Sequence, residues 1–373
     1  MVNVSRSGGG SYRAAARLGA LALAALLIAL ACGSTSPSGS GTTTPSPSAS
    51  PSASPTGTAC STPFVTSAAS EPQLVRAAIA YDKASRQLIL FGDPGGGAVT
   101  QTWAWTSQAG WKQLSPAHSP PGRTWGNMAY DEATGVIILF GGQSATPVNG
   151  GLNPLNDTWT WDGADWTQQS PAASPPATVN MALDYEPARH IVLGVRDNDA
   201  SADTETWQWD GSSWSQLRPI QAPQYAKQGA GLAYAPAVSA SVLFGTVFGI
   251  GVPAPDGTTW TYSANTWTGY PPGAGDPQPR SFPGMSTDQQ GGVLLFGGAG
   301  SGSTVFNDTW AWAGAWAKRS VAVAPAARAM PLMAFDSTCR LDVLYGGELQ
   351  TGSNRTDFYD TWVWDGQAWV KVG

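Results

Sequence analysis

Histidine, cysteine and charge are the scarce materials of this 373-residue chain: 2 His, 3 Cys, and only 12% Asp, Glu, Lys and Arg together. Each shortage narrows the field. Two histidines, without any Cys/His spacing of the kind that holds zinc, leave little for a metal centre. There is no Gly-x-Ser-x-Gly elbow, and Gly95-Gly96-Gly97 lacks the lysine and helix start that a phosphate cradle needs. No stretch carries a sustained helical periodicity, which argues against a helical solenoid. The longest apolar run, Leu18 to Ala31, is shorter than the about 20 residues that cross a bilayer.

That run follows Arg6, Arg13 and Arg17, so residues 1–31 read as a signal peptide. Ala29-Leu30-Ala31-Cys32 is either a lipobox, with Cys32 acylated, or a small-residue cleavage site of the ordinary kind. The next segment favours the lipobox. Residues 33–59 are almost wholly Ser, Thr, Pro, Gly and Ala, a composition that cannot bury enough surface to offset its ordering entropy. Residues 32–59 are therefore expected to be a disordered tether holding a domain, 60–373, outside the cytoplasmic membrane. Without the three leader arginines, 16 Lys+Arg face 25 Asp+Glu, a formal charge of −9. An acidic chain with no basic run excludes nucleic acid and anionic membrane surfaces as partners, so the membrane is met only through the lipid. Secretion without an anchor is the alternative.

What is abundant is tryptophan, 18 in all, and it is periodic. Thr-Trp-x-Trp recurs with its first Trp at Trp103, Trp159, Trp207, Trp260, Trp310 and Trp362, and only Tyr262 departs from Trp at the second position. Another Trp follows each time after a short turn: Trp111, Trp166, Trp214, Trp267, Trp316 and Trp369. Upstream lies an apolar run ending in glycine, such as Ile138-Leu139-Phe140-Gly141-Gly142, and before it a segment closing on a turn, such as Met128-Ala129-Tyr130-Asp131. Each unit reads as four short strands, A to D in chain order. Residues two apart on a strand share a face, so the paired tryptophans stack on a neighbouring unit.

The Phe-Gly-Gly, Asn-Asp-Thr-Trp and Trp elements resemble kelch repeats, the type that builds the central domain of galactose oxidase. The resemblance covers about residues 74–372. It departs at Val195, read as standing for the second glycine of blade 3, and at Thr246 and Tyr262 in blade 4. It implies an all-β fold: a six-bladed kelch-type β-propeller of four-stranded antiparallel blades. Phe64 stands before the first repeat as the D-strand tryptophans stand before later ones, which lays the N-terminal segment beside blade 6. Cys60 and Cys339, the latter in the A–B turn of blade 6, then meet at the ring closure and pair as a disulfide.

Galactose oxidase chemistry needs copper held by tyrosines and histidines. Here His118 falls in a D–A connection and His190 in an A–B turn, positions expected on opposite faces, so no metal or cofactor is expected. Asp197, Asp199, Asp203 and Glu205 cluster in the B–C loop of blade 3 but match no calcium loop and read as solvated. The B–C loops are long and dissimilar, and such loops on a regular scaffold usually carry recognition. On that face Arg123, Lys227, Arg280 and Arg328 recur eight places before the turn position, with Arg76 and Trp125 one pleat further on. They either ring the channel mouth and bind an anionic ligand, or pair with Asp157, Asp308 and Asp360 as braces between blades. The expected protein is a monomeric, non-enzymatic binding module displayed on the surface, with a protein or glycan ligand on the B–C loop face. The alternative is a carbohydrate-active protein handling an acidic sugar, since sialic acid mutarotases also use kelch propellers. An Arg/Glu pair beside a channel cavity favours that alternative; flat exposed aromatic loops favour protein binding.

Overall fold

Large side chains alternate with small or polar ones along strands A and C, strand B is a continuous apolar run, and each repeat forms one antiparallel sheet. A computed structural model describes residues 60, 64, 71–95, 99–144, 153–198, 204–223, 229–245 and 257–373. Cys32 and the segments expected to be a signal peptide and a tether lie outside the described residues. Blade 1 comprises strands A (Ala78–Asp82), B (Gln87–Gly92), C (Gln101–Thr106) and D (Gly110–Leu114). Blade 6 comprises A (Leu332–Asp336), B (Leu341–Thr351), C (Asn354–Trp364) and D (Trp369–Lys371). Blades 2 to 5 repeat this order around inner strands Asn127–Asp131, Ala182–Glu186, Gly231–Ala235 and Gly284–Thr287. Each inner strand neighbours the next, and that of blade 6 neighbours that of blade 1. The chain is a six-bladed β-propeller.

One bond explains the conserved spacing of threonine and tryptophan inside the repeat. The D-strand Trp of each blade sends its indole N–H to the Thr of Thr-Trp-x-Trp in the blade before. Trp166 donates to Thr102 (3.0 Å), Trp214 to Thr158 (2.9 Å), Trp267 to Thr206 (2.9 Å), Trp316 to Thr259 (2.7 Å) and Trp369 to Thr309 (2.9 Å). Trp111 closes the circle on Thr361 of blade 6 (2.8 Å). The same ring packs on the preceding blade's Phe-Gly phenylalanine, as in Phe140–Trp214 at 5.1 Å between centroids. Each Trp removes about 200 Å² from water and places its one polar atom against an acceptor.

The seam between blades 6 and 1 carries additional ties. Tyr345 Oη donates to the Pro72 carbonyl (2.6 Å) and accepts from the Leu74 N–H (3.2 Å). Phe64 packs on the cluster these blades share. Cys60 is disulfide-bonded to Cys339, with Cα atoms 5.2 Å apart across a sequence separation of 279.

Two details differ from the sequence reading. In blade 3, Gly194 opposes Trp207 as Leu139 opposes Trp159, and Val195 opposes Thr206 as Phe140 opposes Thr158. Val195 thus replaces the phenylalanine, and Arg196 holds the position of the first motif glycine. The D–A connections, moreover, do not stay on the loop face. Ala173 and Gln221 accept bonds from the N–H of Trp214 and Trp267, so these connections run down the outer edge of the next D strand and cover it. His118 accordingly sits against Asp165, in the C–D turn of blade 2 (Nδ1–Oδ2 2.7 Å).

Candidate functional site

The inner strands are entered, on the loop face, through one left-handed residue per blade: Arg76 (φ 51°), Trp125 (65°), Asn180 (64°), Gly229 (75°), Phe282 (54°) and Met330 (57°). Five of these are not glycine, and such backbone costs on the order of 1 kcal/mol or more apiece. Hydrogen bonds running blade to blade hold it. The Trp125 N–H donates to the Arg76 carbonyl (2.9 Å), Asn180 to Trp125 (3.0 Å), Phe282 to Gly229 (2.6 Å) and Met330 to Phe282 (2.9 Å). All six residues line the mouth of an axial cavity of about 620 Å³.

Two of the sequence-nominated residues meet here. The Arg76 guanidinium lies over the Trp125 indole at 4.6 Å, and Trp125 touches Phe282 with ring centroids 5.5 Å apart. Trp125 and Phe282 belong to opposed blades, so their contact spans the axis and caps this end. Arg76 also forks onto Glu348 of the long blade 6 hairpin, through Nε (3.1 Å) and Nη2 (3.3 Å), and Glu348 holds Arg355 as well (3.2 Å).

Three of the other nominated cations are engaged elsewhere. Arg123, Arg280 and Arg328 are 2%, 0% and 0% exposed. Each forks onto the carboxylate that opens strand C of its own blade: Arg123 on Asp157 (2.6 and 2.7 Å), Arg280 on Asp308 (2.6 and 3.1 Å), Arg328 on Asp360 (2.5 and 3.2 Å). Each also donates to a motif-glycine carbonyl: Gly141, Gly297 and Gly346. They do not form an open ring of positive charge, because their donors are spent inside the sheet, and the braces lie within blades rather than between them. Burial pushes the three carboxyls up, but the hydrogen bonds and charge of the paired arginines outweigh it and hold them below the usual range. The glycine pair is needed where this brace forms. Gly141 and Gly142 have φ of 61° and 97°, and a Cβ on Gly142 would lie 2.7 Å from backbone atoms of Gly126 and Thr124.

Blade 3 builds the brace differently. Arg196 reaches Glu205 (2.7 Å) from strand B, and Glu205 accepts the Trp207 indole N–H as Asp157 accepts that of Trp159. Arg196 was not nominated from sequence; it accounts for Glu205 of the acidic cluster, while Asp197 ends strand B opposite Thr204. Asp199, Asp203 and Lys227 lie outside the described residues. His190 faces Tyr185 (3.3 Å), so the two histidines have separate partners. Among the described residues no cluster of His, Cys, Asp and Glu has the arrangement of a metal site.

Deeper in the channel, Asp184 occupies a position that is alanine or serine in the other blades. Burial is the main influence on its carboxyl and pushes it up to about 7, against backbone hydrogen bonds from Tyr185 and Tyr234. Asn180, Gly229, Phe282, Met330 and Glu348 escaped the sequence reading, although the first four share with Arg76 and Trp125 the offset of six from the turn position.

No family model matches this sequence, and no curated protein does. Among solved structures, YjhT superposes with a TM-score of 0.61 at 13% identity, covering 83% of this chain and 99% of that one. A fungal alcohol oxidase of the AA5 family, in complex with copper, superposes at 0.49 and 14% identity, covering 77% of this chain and 62% of the oxidase. The likeness to YjhT is one of fold.

Proposed function

We propose that this chain is a binding module displayed outside the cytoplasmic membrane, anchored by lipidated Cys32 and the tether, with its ligand site at the mouth on the loop face. The observation that carries the reading is the contrast at that mouth. Six equivalent backbone positions share one strained conformation, yet present Arg, Trp, Asn, Gly, Phe and Met. Most packing positions in the same repeats keep their residue type, with Val195 and Tyr262 as departures. A constant scaffold under a varied set of side chains is the pattern of a recognition surface. Cys60 is tied to an A–B turn, at the end of the propeller opposite the loop face. A disulfide is in keeping with an oxidising compartment.

The test is a glycan and cell-wall-fragment array probed with the purified mature protein. Binding is expected, and Trp125→Ala or Phe282→Ala should abolish it with the fold intact by circular dichroism. Binding indifferent to both changes would sink the reading. Mass spectrometry of the mature N-terminus checks the anchor, where diacylglycerol on Cys32 is expected.

A second reading, a carbohydrate-active protein handling an acidic sugar, is favoured by the Arg76–Glu348 pair beside the cavity. Catalysed interconversion of sugar anomers, followed by NMR, distinguishes it from binding alone.

A further inference from the structure

We propose that Arg76 is a carboxylate-binding residue, and that Glu348 is the internal carboxylate occupying part of it until a ligand arrives; this rests on the mouth being the ligand site. Four arginines of the repeat are closed within their own blades. Arg123, Arg280 and Arg328 spend Nε, Nη1 and Nη2 on carbonyls and a carboxylate, and Arg280 and Arg328 lie over Phe306 and Phe358 at 4.0 and 4.1 Å. Arg196 is held by Glu205 in the same sheet.

Arg76 breaks this rule in every respect. Its side chain is 28% exposed and lines the cavity, and its acid comes from another blade. It uses Nε and Nη2 on Glu348, leaving Nη1 with no acceptor among the described residues. The indole beneath it fixes the guanidinium plane, so the free edge presents paired donors in the geometry that suits a carboxylate. Asn180, two blades on, supplies an amide at the same level of the mouth.

Glu348 is placed to yield. Its backbone is fixed by two bonds to Ala329 (2.8 Å each), so only the side chain need turn, and it retains Arg355 as a second partner when Arg76 turns to a ligand. Arg355 in turn pairs with Asp357 (2.6 Å), so the cluster of two arginines and two acids is neutral as it stands. A bound carboxylate adds one negative charge beside a guanidinium that already has a free edge.

The experiment uses the purified full-length mature protein and matched probes: glucuronate against glucose, and N-acetylalanine against its amide, with affinity measured by ligand-observed NMR titration. A carboxylate from sugar and one from a peptide end share this chemistry, and the two arms tell them apart. At least one carboxylate should bind, with its neutral match at least tenfold weaker. Arg76→Gln should weaken it tenfold or more, and Arg76→Lys should weaken it too by losing the fork while keeping the charge. Glu348→Gln should tighten binding about threefold by removing the internal competitor. Equal affinity for neutral and acidic probes, or affinity unmoved by both Arg76 variants, overturns this proposal while the binding-module reading stands. Weaker binding in Glu348→Gln overturns the stand-in role. Silence from every probe together with an array ligand that needs Trp125 overturns the carboxylate assignment alone, and silence from probes and array alike overturns both.

Discussion

Blades 2 and 3 perform one task with different parts. In blade 2 the guanidinium arrives from the start of strand A, threads past the Gly141 carbonyl and forks onto Asp157. In blade 3 Thr178 stands at that start, and Arg196, in the place of the glycine, reaches the longer Glu205 from strand B. With no left-handed glycine there, strand B runs on regularly to Asp197. The fixed element is the acid two residues before the first tryptophan, which also holds that indole. The source of the cation is free to change.

The comparison can be broken hardest from the acid side. Asp308→Ala strands a guanidinium that is 0% exposed, and should cost about 3–5 kcal/mol in a denaturant titration. Arg280→Ala should cost less, because the Asp308 side chain is 16% exposed and can be rehydrated. In blade 3, Arg196→Val should cost about 1–3 kcal/mol. Placing glycine at 196 and 197 instead, with Thr178→Arg and Glu205→Asp, rebuilds the arrangement of blade 2 and should recover more than half of that loss. No recovery would mean the brace depends on more than the acid's position.

The seams offer a milder comparison. Thr309→Val and Thr361→Val each orphan a buried indole N–H, one at an internal seam and one at the closure, and each should cost about 1 kcal/mol. A much larger loss at Thr361 would show that the closure leans on this bond more than other seams do.

Asp184 sets a pH dependence that the corresponding alanines lack. Its carboxyl titrates near 7 in the folded chain and near 3.8 when unfolded, so the folded state holds the extra proton between these values. Stability should therefore fall as pH rises from about 4 to about 7, and Asp184→Asn should flatten this part of the profile. The brace carboxylates act in the opposite sense at lower pH. Held below the ordinary range, they lose their contribution as acid protonates them. The smallest effect is reserved for Arg76→Gln, a part-exposed pair whose loss should shift stability by less than about 1 kcal/mol.

The architecture was legible because the tryptophans recur and a recurrence of this length has few structural explanations. The position of Cys339 in a turn near the closure was enough to pair it with Cys60. What escaped has a common cause. Phe282 and Met330 do the same geometric work as Trp125, yet share no residue type with it, and left-handed backbone is announced in sequence only when it falls on glycine. Arg196 was hidden by a two-residue misplacement of the blade 3 glycines, which only the strand register resolves. The arginines at the start of strand A were seen as a set, but whether they faced the channel or the sheet depended on side-chain directions that a spacing does not encode.

Among the described residues each blade takes its four strands from consecutive chain, with none borrowed from the far end to fasten the ring. In its strand pairing the circle has no privileged beginning, although the closure seam adds ties of its own. Gly373 lies so near Glu71 that a methyl group on it would come within 2.9 Å of that carboxylate. A gene rearranged to join these ends and open in another D–A connection would still encode all six indole–threonine bonds. Duplication or loss of a whole repeat likewise adds or removes one wedge with its seam intact, a route by which such rings change size without first unlearning how to close.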